Sequence, residues 1–441
     1  MTSRWRTAKR KVLAELPAPA ADRGLLDRRA FLTGAVKVAG IAAIGNLSGD
    51  LLTAQAAESP ALEIPTWMKT PGQPVRGYGQ PAKYEEGVKR IFYQRYKDIA
   101  PGAGMSMTPL HQLQGTITPN GLHYERHHNG VPDIDPTQHE LLIHGLVKRP
   151  LRFSVEALLR YPTINRIYFL ECSGNSLFNA RPEPPQMTCG AIHGLVSCCE
   201  WTGISLALLL DEAGLDSMGK WIVAEGADAA AMNRSIPIEK ALDDAMIALY
   251  QNGERLRPEQ GYPLRLLLPG WEGNMNVKWL RRLTVTEKPV YSREETSKYT
   301  DLMPDGRARQ FTFPMGVKSV ITHPSLGMTM KGKGFYEVSG LAWSGSGRIT
   351  QVEISADVGK SWARAELQAP ILPLALTRFR LPWNWDGGPV LLQSRATDEK
   401  GNIQPSREKW AAQYSPGNEY HYNAIQTWSI NPEGEIRNVY L

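Results

Sequence analysis

An α+β body followed by an all-β sandwich is the fold the sequence predicts, and three observations carry that expectation. The 441 residues suggest two or three domains. Between residues 139 and 286, strand-like and helix-like stretches are mixed, with no internal repeat. From about residue 311, short alternating runs recur about every ten to fifteen residues between turns, the pattern of a β-sandwich. Residues 58–310 therefore read as one domain and 311–441 as another, after an N-terminal segment, 1–57, of different character.

That segment carries nine Lys/Arg against four Asp/Glu, so +5 of the formal +6 lies there. The remaining body, near +1, gives no case for nucleic-acid binding. Asp27-Arg28-Arg29-Ala30-Phe31-Leu32 sets paired arginines before a moderately apolar run, 31–47, that is rich in Ala and Gly and contains Lys37. Ala54-Gln55-Ala56 is a small-x-small cleavage site. The pattern resembles a twin-arginine export signal, which makes the periplasm the expected compartment. Proteins exported this way are already folded, as insertion of a cofactor in the cytoplasm would require. The run is too short and too charged for an anchor, and no later stretch approaches a membrane span.

Residues 58–110 read as an extended arm with one short helix near Tyr84–Tyr96. Next, Leu122-His-Tyr-Glu-Arg-His-His-Asn-Gly places Arg126 and three histidines in a loop closed by Asn129-Gly130. His123, His127 and His128 could bind a metal, but adjacent ligands are geometrically awkward. Arg126 with flanking donors better suits a phosphate or another anion. A solvated polar loop is the plain alternative. His139–Gly145 then reads as a strand, and Ser154 as the N-cap of a helix reaching Arg160.

Ile167–Leu170 run into Cys172-Ser-Gly-Asn175. A strand thus delivers one thiol to a tight bend, where Gly174 would let a bulky group approach the backbone. A thiolate there is a nucleophile or a soft-metal ligand; the plain alternative is a small buried hydrophobe. The Pro-rich stretch Asn179–Met187 reads as a loop over the rim of the site. Trp201 to Ser205 leads into a helix ending at Ala213, Trp221–Glu225 and Ala245–Tyr250 read as strands or short helices, and Ser235 looks like an N-cap. Tyr262–Trp271 reads as a buried strand containing Arg265, which is costly unless it meets an anion. Lys278, between Val277 and Trp279, could join Arg126 and Arg265 in gripping a phosphate.

Four cysteines (Cys172, Cys189, Cys198, Cys199) are no disulfide scaffold, though Cys189 could bridge Cys198 or Cys199. Cys198 and Cys199 read as core residues beside Trp201. No C-x-x-C-H motif is present, so no c-type haem is expected on this chain, and no C-x-x-C zinc pair is present. After residue 311, Tyr336–Leu341, Arg348–Ala356, Thr377–Leu381 and Val390–Thr397 are the alternating runs. They hold no catalytic-looking cluster, and binding or dimerisation is the natural role.

Taken together, residues 115–430 resemble the sulfite oxidase family of molybdopterin enzymes, whose motifs occur here in order. The resemblance implies an α+β molybdopterin-binding domain, then an immunoglobulin-like dimerisation domain and hence homodimerisation. It makes Cys172 the molybdenum ligand. It implies cofactor contacts from Tyr124, Glu125, Arg126, His127, His128, Asp228, Arg265, Asn276, Val277 and Lys278, with Arg126 also facing the substrate. Tyr299 falls where the family places its active-site tyrosine. Ser176 and Leu177 stand where sulfite oxidases carry two arginines, Gln260 replaces a cofactor-contacting histidine, and 180–190 is an insertion. A less basic mouth suits a neutral or protein-tethered sulfur chain. These departures, with the export signal, resemble the molybdenum subunits of sulfane dehydrogenases of thiosulfate-oxidising systems. That likeness implies a sulfur-carrier protein presenting the substrate and a dihaem cytochrome c subunit taking the electrons. A sulfite dehydrogenase is the alternative within the class. A cofactor-free binding module, and a cysteine hydrolase using Cys172 with His128 or His193 as base, are the alternatives outside it.

Overall fold

A computed structural model describes residues 19–26, 64–72, 74–93 and 100–441. The paired arginines, the apolar run and the small-x-small site lie outside these residues. None of the described helices is long and apolar enough to cross a membrane.

Two five-stranded sheets build the first body. One runs Asn233–Pro237, Trp221–Gly226, Leu280–Thr286, Glu140–Gly145, Leu151–Ser154, with Leu280–Thr286 and Glu140–Gly145 parallel. The other runs Glu254–Arg255, Met246–Gln251, Val196–Ser205, Ile164–Glu171, with Arg265–Leu267 added to Met246–Gln251. The helix Leu206–Ala213 buries Leu206, Leu209, Leu210 and Ala213, the i, i+3, i+4, i+7 stripe of an amphipathic helix. Gly214, at φ +72°, ends it with a left-handed cap. Leu209 and Leu210 lie in the core formed with Ile222, Ile247 and Leu283, each burial contributing roughly 1.5–3 kcal/mol.

The second body is a β-sandwich. Its sheets are Lys318–His323, Gly334–Trp343, Thr377–Trp385 and, facing them, Ala363–Arg364, Ile349–Ser355, Val390–Asp398, Thr427–Ile430, Ile436–Val439. Every alternating run of the sequence lies on one of these strands. Pro19–Ala21 and Leu25–Leu26 extend the first sheet, Leu25 pairing with Trp383 and fully buried. The sandwich core is continuous with Phe169, Cys189 and Cys198 of the first body. The two bodies thus share apolar packing directly behind the strand that ends at Cys172.

Several local expectations are corrected. The helix expected near Tyr84–Tyr96 is a 3-10 turn, Lys83–Glu85, and a strand, Ile91–Tyr93, paired with Gly104–Met107; residues 94–96 lie outside the described set. Ser235 sits mid-strand in Asn233–Pro237, and the following helix, Ile238–Asp243, has Pro237 at its N-cap. The strand at Arg265 spans only Arg265–Leu267. The Pro-rich stretch is held by the C-terminal end of the chain: Gln186 Nε2 donates to the Asn438 carbonyl at 2.8 Å, and Tyr440 Oη donates to that of Glu183 at 3.1 Å. It packs between the bodies because its carbonyls, freed from regular structure by proline, find donors there. All four cysteines are free, with Cys189, Cys198 and Cys199 fully buried.

Candidate functional site

The strand Ile164–Glu171 ends where Cys172 enters a turn, its carbonyl accepting from Asn175 N at 2.8 Å and its own N–H donating to Leu195 O at 2.9 Å. Cys172 lines a cleft that it shares with Arg126, His128, Arg265, Lys278 and Tyr299. Burial pushes the Cys172 thiol up, while the Gly174 N–H and the Arg126 charge pull the other way. Gly174 itself has room: an added Cβ would meet Leu177 at 3.7 Å and the Cys172 sulfur at 3.9 Å. The crowded glycine is Gly273, where a Cβ would lie 2.6 Å from Tyr124 Oη and 3.2 Å from Cys172 Cα. The close backbone approach expected at Gly174 therefore occurs at Gly273.

One wall of the cleft is cationic. Arg265 is 3% exposed; it donates to the carbonyls of Gln260 at 3.0 Å and Asn276 at 2.9 Å, and it stacks over Trp201. Its Nε, also buried, has no partner among the described residues. Lys278 Nζ donates to His127 Nδ1 at 2.9 Å and to the carbonyl oxygens of Glu259 and Arg126. Burial first, then Arg265, holds its ammonium well below the usual lysine range. Asp228, raised by burial, also lines the cleft and accepts from Met232 N.

The three histidines do not converge on one point, and among the described residues no cluster of His, Cys, Asp and Glu could hold a metal by itself. His123 Nδ1 lies 2.9 Å from its neighbour's carbonyl, and His127 bridges Lys278 and Glu125. His128 Nε2 lies 2.9 Å from Tyr299 Oη. Burial holds all three down, His123 and His128 to about 3 and His127 to about 2; the nearby charge that adds most to this is Arg265 for His123, Arg126 for His128 and Lys278 for His127. His128 is thus neutral and shares a hydrogen bond with Tyr299, whose hydroxyl burial keeps protonated. Unfolded histidine titrates near 6.5, so between that value and about 3 the unfolded chain takes up protons that the folded chain refuses. Stability is complete above this window and is lost as pH falls through it. The melting temperature of the cofactor-free chain is expected to fall between about pH 7 and about pH 4, and more gently in His128→Asn. A flat profile would contradict neutral buried imidazoles.

Of the residues singled out in the sequence, Cys172, Tyr124, Arg126, His127, His128, Asp228, Arg265, Asn276, Val277, Lys278 and Tyr299 all line this one cleft. Glu125 does not: its carboxylate pairs with Arg90 and with His127 at 2.7 Å. Ser176 and Leu177 do not line the cleft either, Ser176 Oγ being held by Lys318 and His193. His123, Leu170, Met232, Gly273, Asn274 and Trp279 also line it without having been singled out as contacts. Gln260 takes part too, donating to Tyr124 O at 3.0 Å. Trp279 at φ +51° and Tyr299 at φ +53° are left-handed non-glycine residues, the kind of backbone that collects at functional sites.

A molybdenum–pterin group fits this donor set. Cys172 offers a soft sulfur ligand; the unpartnered Arg265 Nε, with Lys278, offers buried cationic donors for an anionic group. A cysteine hydrolase fits poorly. Burial raises rather than lowers the thiol, and His193 Nδ1 is 2.7 Å from Ser176 Oγ while its Nε2 is 3.1 Å from Gln426.

Comparison with known proteins agrees with this geometry. Residues 128–294 match the oxidoreductase molybdopterin-binding domain and residues 309–428 the Mo-co oxidoreductase dimerisation domain. The sulfite oxidase of Gallus gallus is 31% identical over 314 residues, 66% of this chain and 68% of that protein. A nitrate reductase [NADH] of Solanum lycopersicum is 30% identical over 351 residues, 69% of this chain; the chain spans only 38% of that protein's length. The crystal structure of the sulfane dehydrogenase SoxCD from Paracoccus pantotrophus superposes with a TM-score of 0.84 at 48% identity, covering 86% of this chain and 98% of that one.

Proposed function

Because the chain belongs to the sulfite oxidase family of molybdopterin oxidoreductases, we propose that it is the molybdenum subunit of a sulfane dehydrogenase, oxidising carrier-bound sulfane sulfur in periplasmic thiosulfate oxidation. The observation that carries this reading is a lone thiol, Cys172, facing a cleft with Arg126 and Tyr299 around it and a cationic wall behind. The likeness to SoxCD, nearly half identical, supports the substrate class.

Cys172 would hold the metal. Tyr124, Arg126, His127, His128, Asp228, Arg265 and Asn276 to Lys278 would hold the pterin and its anionic end. Bound there, the group supplies oxygen transfer to sulfur and stores two electrons. The chain's own residues do the rest. The Arg126 charge already acts at the Cys172 sulfur, so it is placed to steady negative charge as the substrate sulfur becomes sulfonate-like. Tyr299 Oη is held 2.9 Å from His128 Nε2; with that nitrogen carrying the imidazole hydrogen, the ring donates to the tyrosine oxygen and leaves the hydroxyl hydrogen for the substrate oxygen. Arg234 lies 5.4 Å over the Tyr299 ring, and Tyr420 packs at 5.7 Å, so the tyrosine is held from both sides. Tyr299→Phe is expected to lower kcat by roughly 10²–10³-fold, the loss seen when one aimed donor is removed. Unchanged kcat would exclude that role.

Electrons must leave singly, and the sequence offers no haem-attachment motif, so a dihaem cytochrome c subunit is the proposed acceptor. The isolated chain is expected to reduce cytochrome c poorly; full activity without a partner would refute this. Residues 1–57 are proposed to direct folded export, which N-terminal sequencing of the exported protein tests. A sulfite dehydrogenase is the second reading, favoured by the likeness to sulfite oxidases and by Arg126 and Arg234 beside Tyr299. Fast turnover of free sulfite with no sulfane oxidation would select it.

A further inference from the structure

The turn that carries Cys172 is clamped from behind by the β-sandwich. Glu171, immediately before the cysteine, is 1% exposed and faces Lys318 Nζ of the sandwich at 3.4 Å; Trp343 Nε1 donates to its other oxygen at 2.6 Å. The same lysine, also 1% exposed, donates to Ser176 Oγ at 2.7 Å, at the far end of the turn. Asn175 closes the loop by donating to Glu171 Oε1 at 2.8 Å, and the Ser173 carbonyl accepts from His421 N at 2.8 Å. One ammonium thus bridges both ends of the six-residue stretch Glu171–Ser176, whose second residue carries the thiol.

Two features argue that this is more than domain packing. A buried lysine–carboxylate pair is a weak source of stability, and apolar residues of similar volume would join the two bodies as well. Such a pair fixes geometry better than it contributes energy. Ser176 also sits at φ +70°, a conformation that persists only when its surroundings impose it, and Lys318, together with His193 at 2.7 Å, grips its side chain.

We infer that Lys318 is a positioning residue: through Glu171 and Ser176 it sets the Cys172 turn, making the C-terminal domain the rear wall of the metal site as well as a dimerisation unit. This rests on Cys172 being the metal ligand, and the test separates the two claims. Lys318→Met and Ser176→Ala are made in the full chain, and folding is checked by near-ultraviolet circular dichroism. In cofactor-loaded protein, molybdenum retention is expected to weaken roughly 10- to 100-fold in Lys318→Met, as for loss of an outer partner of a metal ligand, and the sulfur-to-metal absorption band to shift. In cofactor-free protein, Cys172 is the only cysteine that is not fully buried, so iodoacetamide reads the turn directly. Alkylation is expected to quicken several-fold in both variants. A folded variant with unchanged alkylation rate and unchanged band would overturn the inference. Should Lys318→Met fail to fold, Ser176→Ala, which keeps the ion pair, decides on the same two readouts. Should Cys172→Ser keep its molybdenum, the ligand assignment fails, while the alkylation rates still judge the turn.

Discussion

Cys172→Ser is expected to leave a folded chain that retains no stoichiometric molybdenum and has no measurable turnover. The hydroxyl of serine is harder and far less acidic than a thiol, so it cannot replace a soft ligand. Loss of a mere outer partner already costs 10–100-fold, and loss of the ligand itself should exceed that. The fold should survive, because the turn is fixed by the Cys172 backbone and by its neighbours, not by the sulfur. The thiol carries its proton in the cofactor-free chain, since burial raises its pKa. Metal binding must displace that proton, and loading should therefore release one proton that the serine variant does not. Elemental analysis beside a pH-stat measurement reads both quantities. A serine variant holding one molybdenum per chain would sink the assignment.

Much of this site was legible in the sequence because strand and turn chemistry are local. Ile167–Leu170 and Ser173–Asn175 announce a strand and a bend, and that is where the thiol sits. Arg265 was legible for a different reason, as an arginine inside an apolar run that can persist only beside an anion or, as here, beside carbonyls. What the sequence hid is long-range. Gly273 matters because it touches Tyr124 and Cys172, about 150 and 100 positions away, and nothing in Trp271-Glu-Gly-Asn reveals that. Ser235 looked like a cap because Ser before an apolar turn usually is one; sheet pairing with Val223 overrode the local preference. Ser176 and Leu177 were read as softening the mouth, yet a left-handed residue turned the chain and sent Ser176 toward Lys318. Residue identity was readable there; side-chain direction was not.

Lys278→Met and Arg265→Met should both cost the chain its cofactor yet move stability in opposite directions. Lys278 is held among neutral acceptors with Arg126 and Arg265 close by, and its ammonium is depressed well below the usual lysine range. Such a cation is a liability until an anion arrives, so replacing it with an apolar chain of similar length should hold or raise the melting temperature of the cofactor-free protein. Arg265 differs. Its two nitrogens satisfy buried carbonyls of Gln260 and Asn276, and removing it strands both, at roughly 1–3 kcal/mol each. The melting temperature of Arg265→Met should therefore fall. Cofactor retention should drop in both. An anion brought to Lys278 raises its pKa, so binding takes up a proton; retention is favoured below the free-state pKa and lost as pH rises through the bound-state pKa. That pH slope should be present in the wild-type chain and missing in Lys278→Met. Thermal melts of the cofactor-free forms and molybdenum content across pH measure all of this. A Lys278→Met chain that melts well below wild type, or keeps its cofactor, would show that the lysine is an ordinary structural donor and that the cationic wall was not built for an anion.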